Sequence, residues 1–274
     1  MSIAVLMLAG GVAAGIFGSL LGLGGGLLIV PLLTFGFDLP LREAIGVSLV
    51  CVIVTSGASA AVFLERRVAN LRLGMVLELF TAVGALLGGL LAFLVDERVL
   101  AGLFAALLVY VAVSLLRPRS SALPAAGDET GGSRKPGRAS FVDQLSGPDY
   151  RIHRLGPGLA GSIVAGIASA LLGIGGGLVK VPVLHLVMGV PLRVATATSN
   201  LMIGITASTS AWIYLIRGGI DPYATGPTAV GVFVGATIGS RIAHRIDLRA
   251  LRVLFTVVLL YTALQMVRRA AGVQ

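Results

Sequence analysis

The chain has 274 residues, of which 56% are hydrophobic and only 12% are charged. The charged share is about half that of a soluble globular protein, so polar residues are too few to cover a water-facing surface, while long Leu, Val and Ala runs exclude disorder. The formal net charge of +9 forms no basic stripe alternating with aromatic residues, as a nucleic-acid surface requires. We therefore predict an all-α polytopic membrane protein whose partner is the lipid bilayer and not a nucleic acid.

Apolar stretches follow in the same order in each half. The first half contains 3–37, 44–64, 73–95 and 99–116, and the second contains 156–190, 195–216, 224–244 and 250–267. Three stretches in each half match the ~20 residues of a full membrane span. The opening stretches, 3–37 and 156–190, would each be ~52 Å long as a straight helix, which is too long for one span. Since glycines and a proline interrupt both, each is predicted to be a broken helix or a re-entrant hairpin.

The two halves are homologous repeats, because the sequence matches itself without gaps at an offset of 151. Seventeen of the 34 positions from 15 to 48 are identical to their partners, and the register holds to the end of each half. We divide the chain into membrane repeat one over 1–116, a linker over 117–155 and membrane repeat two over 156–274. The linker is polar and turn-rich, which predicts a flexible loop.

Two topologies are compatible with these repeats. If each opening stretch crosses the membrane once, the repeats are parallel and the two faces carry 13 and 7 Lys or Arg residues, leaving out Lys180. If each re-enters without crossing, the repeats are inverted and the split becomes 15 to 5. Both place the linker in the cytoplasm, since basic residues mark that side. The stronger asymmetry favours inverted repeats.

Glycine clusters mark the two predicted breaks, Gly22-Leu-Gly-Gly-Gly26 and Gly173-Ile-Gly-Gly-Gly177. Glycine costs a helix ~1 kcal/mol relative to alanine, and Pro31 and Pro182 suit the first turn of a restarted helix. Unpaired backbone inside a membrane is tolerated only against protein or a water-filled cavity, where a helix N-terminus attracts anions. We predict that both breaks open to a shared cavity near the membrane midplane and bind an anion. The candidate residues are Gly24, Gly25, Gly26, Gly175, Gly176 and Gly177.

Close packing of helices through small residues is the alternative interpretation of such glycines. It is the interpretation that we give to Gly84-x-x-x-Gly88 and Gly235-x-x-x-Gly239.

Polar side chains near the breaks are further candidates for the binding site. Ser48 in repeat one, and Thr198, Ser199 and Asn200 in repeat two, either line the cavity and donate to an oxyanion or cap a helix. Lys180, three residues after the second glycine cluster, occupies the position of Ile29 in repeat one. A lysine at membrane depth costs ~2.5–3.5 kcal/mol and indicates anion binding, unless its stem reaches the interface.

Two residues are candidates for proton coupling. His185 could carry a proton, with a hydrogen-bonded packing role as the alternative. Glu78 lies inside a predicted span where repeat two has Ala229, with a position near the interface as the alternative. The scattered histidines and the single cysteine, Cys51, predict no metal site, no cofactor and no enzymatic activity, and Cys51 is expected to be a small buried hydrophobic residue.

The duplicated Gly-x-Gly-Gly-Gly-x-x-x-Val-Pro element, followed by Pro-Leu-Arg-x-Ala and by Ser48 or Ser199-Asn200, resembles the TauE/SafE sulfite exporter family of membrane transporters. The resemblance covers both repeats and excludes the linker. It implies a secondary transporter in the bacterial inner membrane that moves sulfite, an organosulfonate or a related sulfur anion, by export and with possible proton coupling.

Other functions remain open on the residues alone. They are an uptake permease for sulfur anions, an anion channel, and a membrane assembly or redox factor that would depend on Cys51. The sequence also leaves the oligomeric state open.

Overall fold

The computed structural model describes residues 3–21, 25–65, 69–116, 145–146, 150, 152–242 and 248–272. Within these ranges the regular elements are helices, with no strand. The helices of the first half are α1 (Ile3–Leu21), α2 (Gly26–Gly36), α3 (Leu41–Glu65), α4 (Leu71–Leu94) and α5 (Glu97–Leu116). Those of the second half are α6 (Leu155–Leu172), α7 (Gly177–Pro182), α8 (Leu192–Ile216), α9 (Pro222–Ile242) and α10 (Leu248–Ala270). A π-helical turn, Val183–Val187, continues α7.

The predicted spans correspond to α3, α4, α5, α8, α9 and α10, each of which begins two or three residues before the predicted start. The spans 73–95 and 224–244 extend one and two residues past the ends of α4 and α9. The added residues include Arg42, Arg72 and Glu97. The apolar pattern excludes charged residues, whereas the helical hydrogen bonding begins at or before them. Four segments of the described chain are long and apolar enough to cross a bilayer: Leu71–Leu94, Glu97–Ser114, Leu155–Leu172 and Val253–Ala270. The all-helical membrane class predicted from the sequence is confirmed.

Each opening stretch is interrupted where the sequence predicts a break. The first helix of each pair ends at Leu21 or Leu172, and the second begins at the last glycine of the cluster. The prediction that the prolines lie in a first helical turn is wrong, because Pro31 and Pro182 are the sixth residues of α2 and α7. Each proline therefore removes a hydrogen bond from the helix interior, and the π-helical turn follows directly after Pro182.

Two pairs of helices pack closely and run parallel to each other. On α1 and α9, Gly11 faces the Thr228 carbonyl and Gly15 faces the Val232 carbonyl, so the contacts advance together along both helices. On α4 and α6, Gly84 and Gly88 similarly face successive carbonyl groups of α6. The close-packing interpretation of the Gly-x-x-x-Gly pairs is confirmed, because a side chain at these positions would overlap the neighbouring backbone.

Other helix directions follow from contacts at the ends. α3 runs antiparallel to α8, because Gly46 near its start faces Gly219 beyond the end of α8, while Ser56 lies against Gly204. α5 runs antiparallel to α10, because its first residue, Glu97, lies within 4.0 Å of Arg269 at the end of α10. α4 runs parallel to α8, with Gly74 near Thr198 and Gly89 near Ile213.

The C-terminal end of the predicted linker packs against the helices. Leu145 and Ile152 are buried in a cluster with residues of α4 and α8. The Asn70 side-chain amide at the start of α4 donates to the Leu145 carbonyl oxygen and to the Tyr150 hydroxyl, at 2.8 and 2.7 Å. The flexible linker predicted over 117–155 otherwise lies largely outside the described residues.

Candidate functional site

The two breaks form the tips of helical hairpins, α1–α2 and α6–α7. Residues Gly25, Gly173, Gly175 and Gly176 have φ between 67° and 75°, a conformation that residues with a side chain rarely adopt. Gly173 caps α6, its N–H donating to the Ser169 carbonyl oxygen at 2.9 Å. The glycines therefore let the chain reverse direction within a few residues, as a re-entrant hairpin requires.

The two tips meet at Ser48 on α3. The Ser48 hydroxyl lies 2.7 Å from the Gly173 carbonyl oxygen and 3.1 Å from the Gly26 carbonyl oxygen. A β-carbon placed on Gly26 would lie 2.8 Å from the same Gly173 oxygen. Gly26 and Ser48, predicted as site residues in repeat one, are thus brought against the tip of repeat two. Gly24 lies outside the described residues.

The described glycines of the breaks are buried, except Gly177, which is half-buried. Gly26 lies against Val52, and Gly175 lies against Val52 and Ile203. Apolar side chains of α3 and α8 therefore pack against the tips at these two glycines, and the shared water-filled cavity remains a prediction. Two cavities are lined by described residues elsewhere: a charged one of about 870 Å³ between the α4–α5 turn and the end of α10, and an apolar one of about 450 Å³ beside α1 and α2.

The second break has two buried hydroxyl groups without hydrogen-bond partners. Ser199, on α8, is 1% exposed and lies beside Gly177. Ser169, on α6, is fully buried and lies beside Gly176. Buried hydroxyls without a partner are rare in folded proteins, because an unmade hydrogen bond costs about 1–3 kcal/mol. They are available to donate to an anion held at Gly176 and Gly177.

Lys180 and Glu78 form a buried ion pair. The Lys180 ammonium lies 3.1 Å from Glu78 Oε2 and also donates to the Thr206 hydroxyl, which donates to Glu78 Oε1 at 2.6 Å. The Lys180 and Glu78 side chains are 1% and 7% exposed. Both charged groups are therefore enclosed by the protein and do not extend to its surface. The residues lie 102 positions apart, and sequence reasoning did not pair them.

The pair has a signal in the sequence that the repeat makes visible. Lys180 and Glu78 replace Ile29 and Ala229, so each charge appears in only one repeat, and the two charges are opposite in sign. A positive charge in one repeat and a negative charge in the other, each replacing an apolar residue inside a predicted membrane segment, could have predicted the contact between Lys180 and Glu78.

The remaining candidates make hydrogen bonds to other partners or lie buried. The Thr198 hydroxyl accepts from the Asn70 backbone N–H at 3.0 Å, and the Asn200 carbonyl oxygen accepts from Ser56 at 3.3 Å. His185 Nδ1 lies 2.9 Å from the Val190 carbonyl oxygen, which fits the packing alternative. Cys51 is fully buried, as expected of a small hydrophobic residue.

Matched serine substitutions test the different roles of Ser48 and Ser199, which occupy equivalent repeat positions. We expect Ser48→Ala to lower the free energy of unfolding by about 1–2 kcal/mol, because two buried carbonyl groups lose their shared donor. Ser199→Ala should leave stability unchanged or slightly higher, since no hydrogen bond is removed. Thermal unfolding in detergent measures both, and equal losses would contradict this assignment.

Comparison with known proteins identifies the family. The family model described as sulfite exporter TauE/SafE matches residues 7–266. The probable membrane transporter protein YunE of Bacillus subtilis is 26% identical, with 96% of this chain and 97% of the relative covered. The probable membrane transporter protein MJ0441 of Methanocaldococcus jannaschii is 27% identical, with 93% and 91% covered. No solved structure is significantly similar. The chain therefore belongs to the sulfite exporter TauE/SafE family and is a multi-pass membrane transporter.

Proposed function

We propose that the protein is a secondary transporter that moves a small anion, such as sulfite, an organosulfonate or a related sulfur anion, across the membrane. The observation that carries this proposal is a buried ammonium, Lys180, close in sequence to a break flanked by the unpartnered Ser169 and Ser199 hydroxyls. A cation and two free donors suit an oxyanion, which accepts hydrogen bonds through several oxygens.

The proposed binding site is centred on the second break. Lys180 supplies the charge, Ser199 supplies a hydrogen bond, and Gly175, Gly176 and Gly177 allow the anion to approach the backbone. Gly25 and Gly26 at the opposing tip, with Ser48, close the site in the conformation described, and we include Gly24 in the site on its sequence position alone. Thr198 and Asn200 lie on the same helix as Ser199, and we include them in the proposed site as its neighbours on α8.

The proposed topology is a pair of inverted repeats with the linker in the cytoplasm. Its support is that α3 and α8, which are equivalent helices, run antiparallel, as do the equivalent α5 and α10. The parallel packing of α1 with α9 and of α4 with α6 is consistent with two equivalent repeats, because each pair joins the opening helix of one repeat to the fourth helix of the other. Labelling Arg98→Cys and Arg241→Cys in a Cys51→Ala background should report opposite faces, and a shared face would contradict inversion.

Export is the direction that we propose, supported by the family description as a sulfite exporter. The buried position of Cys51 argues against the redox alternative, because a fully buried thiol cannot meet a partner without rearrangement.

Flux measurements in liposomes test the proposed function. Reconstituted protein is expected to move sulfite or an organosulfonate above the rate of empty liposomes, with saturation at high anion concentration as a carrier requires. Unitary currents in a planar bilayer would instead indicate a channel. The absence of both flux and binding across sulfite, thiosulfate, sulfonates and carboxylates would overturn the proposal.

A further inference from the structure

The Lys180–Glu78 pair is enclosed by protein, with the two side chains 1% and 7% exposed. The ammonium donates to the carboxylate and to the Thr206 hydroxyl, and that hydroxyl lies within hydrogen-bond distance of the carboxylate and of the Met202 carbonyl oxygen. The positive charge that would attract an anion is therefore already neutralised. An anion can approach Lys180 only if the interaction with Glu78 is weakened or replaced.

No other charged group described around the pair can replace either partner. The surrounding elements are α4, α6, α7 with its π-helical turn, and α8, and α6 carries no ionisable side chain. On the others, Arg72 is exposed at the start of α4, His185 contacts the Val190 carbonyl, and Tyr214 donates to the Ala170 carbonyl oxygen. Charge balance at this depth is thus set by Glu78 and Lys180 alone among the described side chains.

The equivalent positions of the two repeats show that the fold does not require this ion pair. At the equivalent positions Ile29 is fully buried and Ala229 packs against the same hydrophobic core. A buried ion pair seldom adds stability over apolar residues of similar volume, whereas removal of one partner leaves an uncompensated charge. The charged pair is therefore better explained by a function than by a contribution to stability.

We propose that Glu78 competes with the transported anion for Lys180, so that each anion binds together with one proton. This inference rests on the proposed function. The anion takes the place of the carboxylate at the ammonium, and Glu78 accepts a proton from water because a second negative charge beside one cation is unfavourable. The protonated carboxyl group remains hydrogen-bonded to Thr206. The balance is one anion and one proton bound, with no covalent change.

The direction of coupling follows from this exchange. Anion and proton cross together, so a monovalent anion moves without net charge and a divalent anion carries one negative charge. A proton gradient directed into a compartment will drive anion entry into it. Export from a cell then requires an anion gradient steep enough to move a proton outward as well.

Anion binding to the purified full-length protein tests the coupling. The probes are ethanesulfonate and thiosulfate, whose own charges are constant from mildly acidic to mildly alkaline pH, unlike that of sulfite. In wild-type protein the Kd should rise about tenfold for each unit of pH above the pKa of the carboxyl group, because one proton is bound with each anion. Addition of the probe in weak buffer should raise the pH by uptake of one proton per site.

Two variants sharpen the test. Glu78→Gln cannot be charged, so its Kd should be independent of pH and proton uptake should disappear. Glu97→Gln, a carboxylate of the outer charged cavity, is the matched control and should keep the wild-type dependence. Wild-type binding that is independent of pH and takes up no proton would overturn the coupling and leave the proposed function standing. Failure of the wild-type protein to bind or move any probe would instead overturn the proposed function.

Discussion

Lys180→Met is expected to destabilise the protein by about 3–5 kcal/mol at neutral and alkaline pH and to abolish anion binding. Methionine keeps much of the length of the side chain but leaves the Glu78 carboxylate enclosed without its cation. The loss of stability should shrink as the pH falls, because a protonated Glu78 has no charge to compensate. Thermal unfolding over a series of pH values, with anion titration of the surviving folded protein, measures both effects.

The double variant Lys180→Ile, Glu78→Ala separates charge from packing. It introduces the residues found at the equivalent positions, Ile29 of repeat one and Ala229 of repeat two, so we expect its stability to return to within about 1 kcal/mol of wild type at all pH values. Anion binding should remain absent. If Lys180→Met were as stable as wild type at alkaline pH, the ion pair would not contribute to stability as proposed. Wild-type anion affinity in the double variant would remove Lys180 from the site.

The helices and their breaks could be predicted because their causes are local. Apolar length, glycine clusters and proline all act within a few residues, so the predicted spans and breaks match helices that begin within three residues of the expected positions. The two prolines were placed in the wrong turn. A proline in the first turn would require the helix to begin after the glycines, whereas α2 and α7 begin at the last glycine itself.

The arrangement of the site depended on packing that no local pattern specifies. Ser48 was a candidate ligand, yet its hydroxyl joins the two hairpin tips, which are 147 residues apart at Gly26 and Gly173. Lys180 and Glu78 were assigned separate roles because spacing along one helix cannot reveal a contact between α4 and α7. The unpartnered Ser169 was not predicted as a site residue either. Its equivalent in repeat one is Gly18, so comparison of the repeats gives no polar residue at this position.

Gly26→Ala is expected to prevent the hairpin tips from closing and to abolish accumulation of the anion in liposomes. A β-carbon on Gly26 would lie 2.7 Å from a Val52 methyl group, 2.8 Å from the Gly173 carbonyl oxygen and 3.1 Å from the Ser48 hydroxyl. The carbonyl belongs to a capped helix end and cannot turn away as a flexible side chain can. Overpacking of this kind costs about 1–3 kcal/mol, which should appear as a lower unfolding temperature.

Gly57→Ala is the matched control, because it makes the same chemical change within helix α3 at an exposed position with no atom within 4 Å. Alanine there should leave accumulation unchanged and raise helix stability by up to about 1 kcal/mol. Gly26 has no positive φ, so backbone strain does not contribute to its substitution, and any loss reports the contact between the tips. Wild-type accumulation by Gly26→Ala would mean that the tips need not touch during transport. Loss of accumulation in Gly26→Ala alone would show that closure at Ser48 separates the two sides of the membrane.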